Sequence, residues 1–493
     1  MIGRTETQRP STEGWLARLA SCERRYLAVD GGSGARLLVR LLASNPYLRR
    51  VSSPRHAELL VVCEPVSRKL APSIVELYRA MPRPRRVLVI GEPGPAQFPS
   101  ADLVRLEDRL PGVERPPVNL SNFGETEQRM LALPLQSDEV PPEPRVEEKA
   151  LPLPGKQERE IATELMVMSL GPVQPLTAGP LRLLFVCDGE QIVAVQTEAG
   201  YAARGVARAM THATWRESAA LASALDPLAP IAGRLAYVSA LEQLQHWDPD
   251  PSTLHQREAL LAFERVENHV SWLVRFAEFL ADDRLSITAR HFPVRLAEVG
   301  AVLWGQSAVE WIVPQSGVLS PLPHTQKRML EHLAAELVAL RGRLEGNRAL
   351  ALRTAGIGLL AADRLRAVGA SGPVLHASER RQGDVLSRLL MRLEEAADDL
   401  RYAARAAVMP SVAEQGIAPW SAPPGETAVT VAGPRGDIGV SLASDGENMC
   451  RVTWRRPSAA LLGLIPELLT GQKLADAETI VASLDLAMAE ADG

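Results

Sequence analysis

A proline-rich segment divides this chain of 493 residues into two unequal parts. Between Pro111 and Gly155 the sequence carries nine prolines and a single aromatic residue, Phe123. Such a segment buries too little apolar surface to offset the entropy of ordering it, and its prolines favour extended chain. The predicted divisions are a tail, a small domain, a linker and a large domain (residues 1–20, 21–117, 118–156 and 157–493).

The composition is that of a globular protein with a large core. Apolar residues make up 46% of the chain, and 54 basic against 59 acidic residues give a net charge of −5. This balance, without basic blocks, argues against a nucleic-acid partner. The sequence has no apolar run long enough for a membrane span and no secretory signal, so we predict a cytoplasmic protein without its own transmembrane segment.

The four cysteines are Cys22, Cys63, Cys187 and Cys450, and they are far apart in sequence. No CxxC pair is therefore present for zinc, for redox exchange or for one edge of an iron–sulfur cluster. Unpaired thiols in a reducing compartment are the simplest interpretation.

In the small domain, short apolar runs alternate with a helical pattern. Strands are predicted at Leu27–Val29, Glu58–Cys63 and Arg86–Gly91, and a helix is predicted from Ser67 to about Arg79. This alternation predicts an α/β domain with a flavodoxin-like parallel sheet covered on both faces. Ligands of such sheets bind beyond the carboxyl ends of the strands.

The large domain is predicted to be mainly α with small β-sheets at its ends. A hairpin is predicted around Asp188-Gly189, and helices follow from Gly200 to about Ala407. Strands return at 428–431, 437–442 and 450–454 before two closing helices. In the clearest helix, apolar residues from Leu260 to Leu280 recur every three or four positions, and Glu264 lies off that stripe.

Local motifs are weak by themselves. The run Gly31-Gly32-Ser33-Gly34 could bind an anion through its amides, although a tight turn between strand and helix is the simpler use. His269 is interpreted as a hydrogen-bonded packing residue, and the Glu264-Arg265 and Glu394-Glu395 pairs as solvated or inter-helix ion pairs.

Longer stretches of the small domain resemble a known family. From about Leu27 to Pro117 the chain resembles the small electron-transfer subunit shared by respiratory complex I, where it is the B-type subunit, and [NiFe]-hydrogenases. The matching elements, in the order of the family, are Ser53-Pro54-Arg55-His56-Ala57-Glu58-Leu59-Leu60-Val61-Val62, Pro65-Val66-Ser67, Tyr78, Pro82-Arg83-Pro84 and Val87-Leu88-Val89-Ile90-Gly91.

The large domain resembles the large subunit of the same family, which is the D-type subunit of complex I. The chain is therefore similar to a fusion of the two subunits. The matching elements run from Gly171 to Asp485: Gly171-Pro172-Val173-Gln174-Pro175, Thr177-Ala178-Gly179, Gly200-Tyr201-Ala202-Ala203-Arg204-Gly205, Thr214-Trp215, Glu264-Arg265, Asn268-His269, Pro314-Gln315-Ser316-Gly317-Val318, Gly372-Pro373, Gly383-Asp384, Pro434-Arg435-Gly436-Asp437, Arg456-Pro457-Ser458 and Ser483-Leu484-Asp485.

The metal ligands of the family are missing. Where the small subunit has cysteines for a [4Fe–4S] cluster, this chain has loops 32–37, 91–93 and 111–113, in which glycine, leucine, proline and valine offer no donor. The C-terminal cysteine pair of the nickel–iron site is also absent, since the corresponding end is 485–490. We therefore predict no [4Fe–4S] cluster, no nickel–iron site and no other metal.

The residues that face quinone in the family have changed as well. Its two loop histidines correspond to Ala178 and Ala203, and its quinone-facing tyrosine corresponds to Trp215. Without these proton donors, quinone chemistry loses its acid groups, and we assign no catalytic residue. The residues that the resemblance places around a vestigial cavity are Arg55, His56, Gly171, Pro172, Gly179, Arg204 and Trp215.

The resemblance implies a redox-degenerate core subunit of a membrane-associated, ion-translocating complex. Its expected partners are membrane-embedded antiporter-like or complex I-like subunits, and it would lie peripherally on the cytoplasmic membrane. One alternative is an active subunit of an NADH- or hydrogen-linked quinone oxidoreductase that contributes to the quinone cavity. Another is a free-standing module that binds a small apolar ligand.

Overall fold

The computed structural model describes residues 24–32, 34, 36, 38–39, 48–91, 98, 102–111, 113–114, 165–304, 323–406 and 420–493. The predicted tail (1–20), the predicted linker (118–156) and the motif Pro314–Val318 lie outside these residues.

The small half is built on a parallel sheet, as predicted. Five of its strands pair in the order β2-β1-β3-β5-β7, and all of these pairings are parallel. The remaining two, β4 and β6, form a short antiparallel pair. The strands are β1 (Arg24–Asp30), β2 (Leu48–Arg50), β3 (Leu59–Cys63), β4 (Val66–Ser67), β5 (Arg86–Ile90), β6 (Leu103–Val104) and β7 (Val113–Glu114).

The central strands are buried on both faces because helices and loops cover the sheet. All five residues of β3 are buried, which explains why its sequence is continuously apolar. Helix α1 (Ala71–Ala80) packs Ile74 and Tyr78 against one face of the sheet. The predicted N-cap, Ser67, lies in β4 instead, and its hydroxyl accepts a hydrogen bond from the amide of Leu70 at 3.1 Å.

The large half begins with an antiparallel sheet and continues with helices. The sheet has the order β10-β9-β8 and comprises β8 (Met166–Leu170), β9 (Arg182–Asp188) and β10 (Gln191–Glu198). The helices that follow are α2 (Val206–Met210), α3 (Trp215–Ala224), α4 (Pro230–Leu244), α5 (Pro251–Phe279), α6 (Asp283–Trp304), α7 (His324–Glu345), α8 (Arg348–Thr354), α9 (Ala362–Ala367), α10 (Pro373–Arg380) and α11 (Val385–Ala406).

A second antiparallel sheet follows near the end of the chain, as predicted, and residues 457–493 form four short helices where two were predicted. The sheet has the order β11-β12-β13 and comprises β11 (Gly425–Gly433), β12 (Gly436–Ser444) and β13 (Met449–Arg455). The helices are α12 (Pro457–Leu462), α13 (Ile465–Leu469), α14 (Leu474–Ser483) and α15 (Met488–Asp492).

Helix α5 runs through the middle of the large half. It packs against α4, α6, α11, α14 and β11, so its buried residues lie on more than one side. Among the helices that the structure describes, none combines the length and hydropathy that a bilayer-crossing segment requires.

Candidate functional site

Four chain segments meet where the small half contacts the large half. They are the loop after β1, the loop between β8 and β9, the loop between β10 and α2, and the C-terminal segment that carries α15. We call this contact the joint and define it by Gly32, Gly179, Ala202 and Ala489, which approach one another closely.

The loop after β1 is folded around the carboxylate of Asp30. The amides of Gly32 and Gly34 donate hydrogen bonds to Asp30 Oδ1 at 2.8 and 2.7 Å, and Gly31 N donates to the carbonyl of Cys63 at 2.8 Å. The amides of Gly32 and Gly34 therefore serve the loop's own carboxylate, which is the tight-turn use of this glycine run. Burial raises the pKa of Asp30, although the hydrogen bonds of these amides oppose the shift.

The glycines of the joint leave no room for a side chain. A Cβ on Gly32 would lie 3.0 Å from Ala202 Cβ and 3.2 Å from Ala489 Cβ, and the φ of Gly32 is +118°. A Cβ on Gly179 would lie 3.1 Å from Met488 Cβ and 3.6 Å from Gly32 Cα. The two halves are thus in contact through backbone and methyl groups.

The loop between β8 and β9 is held in place at both of its ends and at its tip. At its base, Leu181 N donates to the carbonyl of Pro172 at 3.0 Å, and a Cβ on Gly171 would collide with the Leu181 carbonyl. At its tip, Ala178 N donates to Leu486 O at 2.9 Å and Ala178 O accepts from Met488 N at 2.8 Å. The position that holds a histidine in the family is therefore packed against the C-terminal segment.

The loop that carries Arg204 is fixed by contacts from both halves. Asp492 accepts hydrogen bonds from Gly200 N and Ala202 N, both at 2.8 Å. From the small half, Ser67 Oγ donates to Tyr201 O at 2.6 Å. These contacts attach the small half to the large half beside the joint.

Arg204 is buried, with only 1% of its surface exposed. Its Nη2 donates to the carbonyls of Leu225 at 2.9 Å and Ala489 at 3.1 Å, and its guanidinium lies 5.8 Å from the ring centre of Phe98. Burial lowers the pKa of Arg204 to about 10, so the group remains charged at neutral pH. Backbone carbonyls are therefore the main partners of this cation.

Trp215 is also buried, in a hydrophobic cluster that includes Phe98. It is the first residue of α3, and its Nε1 donates to Glu447 O at 3.4 Å. Its carbonyl accepts a hydrogen bond from the hydroxyl of Tyr237 at 2.9 Å. The indole thus occupies a packed position in the large half.

A small cavity of about 30 Å³ lies next to the joint. Of the seven cavity residues predicted from the sequence, Gly179 lines it. A water molecule needs about 10–15 Å³ of such space, whereas pockets for drug-sized ligands measure about 300–1,000 Å³. The cavity has room for water but not for a quinone ring. Its polar lining residues are Asp30, Arg50, Gln174, Thr177 and Arg275.

Arg55 and His56 do not lie beside these residues. They form a short 3₁₀ turn before the first residue of β3, and both are exposed. Because β1 and β3 are parallel, this turn is at the amino end of the sheet, whereas the loop after Asp30 is at the carboxyl end. Roughly 13 Å of strand separate the two ends.

The residues present around the joint do not fit a [4Fe–4S] cluster. Such a cluster is held by thiolates, and among the cysteines that the structure describes Cys63 lies against the loop after β1, beside Gly34. It is buried, and burial followed by the neighbouring Asp30 carboxylate raises the pKa of its thiol. A Cβ on Gly34 would collide with Cys63 Sγ. Within the described ranges, no group of three or more His, Cys, Asp or Glu side chains could hold a metal ion.

Several polar residues beside the joint were not singled out from the sequence. Asp30 could have been found as a carboxylate directly after a buried strand, where such sheets bind ligands. Asp485 was identified only as part of the motif Ser483-Leu484-Asp485, and Arg275 gave no local signal, because their ion pair of 2.8 Å joins positions 210 residues apart.

Sequence comparisons match the large half to a respiratory subunit. Residues 411–493 match the family model for the respiratory-chain NADH dehydrogenase, 49 Kd subunit. A D-type subunit of the NADH-quinone oxidoreductase of Koribacter versatilis is 25% identical over 383 residues, which cover 66% of this chain and 96% of the relative. The D-type subunit of Dehalococcoides mccartyi is 27% identical over 368 residues, which cover 67% of this chain and 99% of the relative.

The structural comparison agrees in fold. A chain of the membrane-bound sulfane sulfur reductase (MBS), an archaeal respiratory membrane complex, superposes with a TM-score of 0.60 at 23% identity. The superposition covers 68% of this chain and 100% of that chain. The small-subunit resemblance of the N-terminal half stays a prediction. The larger part of the chain is similar in sequence to the D-type subunit of NADH-quinone oxidoreductase and in fold to a chain of a respiratory membrane complex.

Proposed function

We propose that this chain is a core subunit of a membrane-associated respiratory complex and that it has no redox centre of its own. It would act as a structural element of that complex, or as an element that couples the activities of its partner subunits. The likeness to D-type subunits over almost their whole length supports membership in such a complex. The likeness in fold to a chain of a respiratory membrane complex supports it as well.

The close packing of the joint is the observation that supports the proposed loss of redox function. Gly32 and Gly34 belong to the loop that the family resemblance aligns with cluster cysteines. A Cβ at either glycine would meet another atom at 3.0 Å or less. Restoring cysteines here would therefore require the backbone to move, because a Cβ on Gly34 would collide with Cys63 of the same half and a Cβ on Gly32 would press against Ala202 and Ala489 of the large half.

We infer further that the small half derives from a protein like the B-type subunit of complex I. Its five parallel strands, numbered along the chain, have the order 2-1-3-4-5, which is the order of flavodoxin-like sheets. The fusion of the two halves in one chain keeps them at a high effective concentration. Their contacts beside the joint, such as Ser67 with Tyr201, suit a unit that assembles once and remains together.

The partner that this role requires is membrane-embedded and of the antiporter-like or complex I-like type. The chain would then lie peripherally on the cytoplasmic face of the membrane. The exposed Arg55 and His56 remain candidates for the surface that docks onto this partner, because they are not buried by packing as Arg204 and Trp215 are.

The alternative function is a contribution to quinone reduction with a cluster supplied by another chain. Two observations weigh against it. Alanines stand where the family has histidines, so neither residue can protonate a reduced quinone. Trp215 is packed against Phe98 and Tyr237 rather than facing the described cavity.

The test is isolation of the native, tagged chain from membranes in mild detergent. We expect integral membrane subunits to purify with it in fixed stoichiometry. Recovery as a monomer without membrane association would contradict the proposal and favour a free-standing binding module. Reduction of a quinone analogue by the isolated complex, abolished in Trp215→Ala, would favour the quinone alternative.

A further inference from the structure

Glu264 is a fully buried carboxyl group that the proposed function does not use. It lies on α5 with no exposed surface. Its two oxygens accept hydrogen bonds from the first turn of α4, from Ile231 N at 2.8 Å and Ala232 N at 2.9 Å. Of the two interpretations of Glu264 from the sequence, solvated or in an inter-helix ion pair, the solvated one is therefore wrong, because α4 and the small half cover this part of α5.

The group that reaches Glu264 from the small half is Arg36. Its Nη2 lies 3.7 Å from Glu264 Oε1 and donates to the carbonyl of Leu228 at 2.7 Å. Its Nη1 lies 3.6 Å from Oε2 of Glu267, one turn further along α5. Arg36 lies two residues after Gly34 of the loop after β1, so its contacts with α5 act directly on the contact between the halves.

A second group of charges is connected to this pair through Asn268. Asn268 donates to the same Leu228 carbonyl at 2.5 Å and accepts from Arg435 Nη1 at 2.6 Å. Arg435 is paired with Asp226 and Glu490, and all three are buried. The cluster that acts directly on Glu264 consists of Glu264, Glu267 and Arg36, which are two carboxyl groups and one guanidinium group.

This excess of acids means that the cluster is closer to electrical balance when one carboxyl carries a proton. Glu264 is the carboxyl group of the cluster that is suited to carry this proton. Burial raises its pKa to about 7, although Arg36 and the two amides oppose the shift. Its protonation state therefore changes near neutral pH.

We propose that Glu264 and Arg36 form a proton-dependent latch between the two halves of the chain. The ionised carboxylate of Glu264 attracts Arg36 and holds the small half against α4 and α5. The protonated carboxyl keeps its place at the start of α4 but no longer attracts the guanidinium, and the hold on the small half weakens. The latch rests on the proposed coupling role, since it gives that role a site at which proton uptake changes the contact between the halves.

Linkage makes the latch measurable. The factor by which protonation of Glu264 weakens the Arg36 contact equals the factor by which loss of Arg36 strengthens proton binding. A cation within about 4–6 Å lowers the pKa of a carboxyl by about 1–3 units. Removing Arg36 should therefore raise the midpoint by at least about one unit, which is a tenfold weakening of the contact on protonation.

The first experiment is an infrared pH titration of the full chain between pH 5 and 10. The carboxylic C=O band of Glu264 is identified by its loss in Glu264→Gln. We expect a midpoint near 7, and a midpoint at least about one unit higher in Arg36→Gln. The matched control is Glu267→Gln, which removes a nearby negative charge and should move the midpoint downwards. An unchanged midpoint in Arg36→Gln overturns the latch.

The second experiment follows hydrogen exchange of the peptide around Arg36, normalised to intrinsic rates. In the natural chain its protection should fall as pH decreases through the midpoint. In Glu264→Gln, which resembles the protonated acid, it should stay at the low value at every pH. Equal profiles in the two proteins contradict the proposal. If Glu264→Gln fails to fold, Arg36→Gln replaces it, because the Arg36 side chain is 27% exposed.

Failure of the latch can be separated from failure of the proposed function. A protein with stoichiometric iron would contradict the loss of the redox centre and leave this titration unaffected. A flat titration would contradict the latch and leave the metal content unaffected.

Discussion

Replacing Gly32 by alanine tests whether the two halves are packed as closely as the structure indicates. The new Cβ would lie 3.0 Å from Ala202 Cβ and 3.2 Å from Ala489 Cβ, closer than ordinary van der Waals contact. Forcing an extra methyl group into a well-packed interior costs about 1–3 kcal/mol. The φ of +118° adds backbone strain of about 1–3 kcal/mol for a residue with a side chain.

Gly91→Ala is the matched control for the backbone part of this cost. Gly91 follows β5 in the same half with a φ of +112°, and among the described residues the nearest neighbour of its added Cβ would be Glu64 Cβ, at 3.5 Å. That distance is ordinary contact. The difference between the two variants therefore isolates the packing across the joint, and we expect Gly32→Ala to be less stable by about 1–3 kcal/mol.

Urea unfolding of the full chain, followed by circular dichroism, measures this difference as a shift of the midpoint at constant slope. A packing defect should lower the midpoint of Gly32→Ala below that of Gly91→Ala. Equal midpoints would refute the close packing of the joint, and with it the argument that no space is left for cluster ligands.

Two further predictions concern buried and half-buried charges. Arg435→Met leaves two buried carboxyl groups without their cation, so it should lower the free energy of unfolding in the urea assay by about 3–5 kcal/mol. The control is Arg451→Met, which removes an exposed ion pair of 2.9 Å and should lower the free energy of unfolding by about 1 kcal/mol or less. The hydrogen bond that His376 Nδ1 donates to Glu395 Oε1 raises the pKa of His376, so this pair stabilises the fold fully below the unfolded pKa of about 6.5 and loses that effect as pH rises through the folded pKa. His376→Gln should therefore remove the corresponding pH dependence of the urea midpoint, and an unchanged dependence would contradict the assignment.

The elements of the fold were largely predictable because their signals are local. β3 and β5 are continuous apolar runs bounded by turn residues, and both ends of the large half show strands where the sequence predicts them. Strands β2, β4, β6, β7 and β8 were not predicted. The first four have only two or three residues each, and β8 is a mostly exposed edge strand, so none of them has the alternation or length that marks a strand.

The interior of the large half was harder to predict because charge is not always a sign of exposure. Glu264 lies off the apolar stripe of α5, which in a helix packed on one side would place it in solvent. Here several elements cover α5, and Glu264 is buried at the amide groups of α4. Arg265 on the same helix does form the expected inter-helix ion pair, with Asp399 at 2.7 Å. His269, interpreted from the sequence as a hydrogen-bonded packing residue, is buried and lies 3.5 Å from Glu395, but neither of its ring nitrogens makes a hydrogen bond to a described residue.

The site was predictable in part. The family motifs identified Gly179 and Arg204, which lie at and beside the joint, because glycine and buried arginine mark close backbone contact. Arg55 and His56 were grouped with them through sequence motifs alone. Their separation along β3 depends on the parallel pairing of the strands, which the motif order does not contain.

Metal analysis tests the central claim most directly. The tagged chain, isolated with its partners and also alone under anaerobic conditions, is analysed for iron, acid-labile sulfide and nickel per polypeptide. The loss of the redox centre predicts that the chain isolated alone contains none of the three in stoichiometric amount. About four iron atoms and four sulfides in each chain, the content of one [4Fe–4S] cluster, would contradict it.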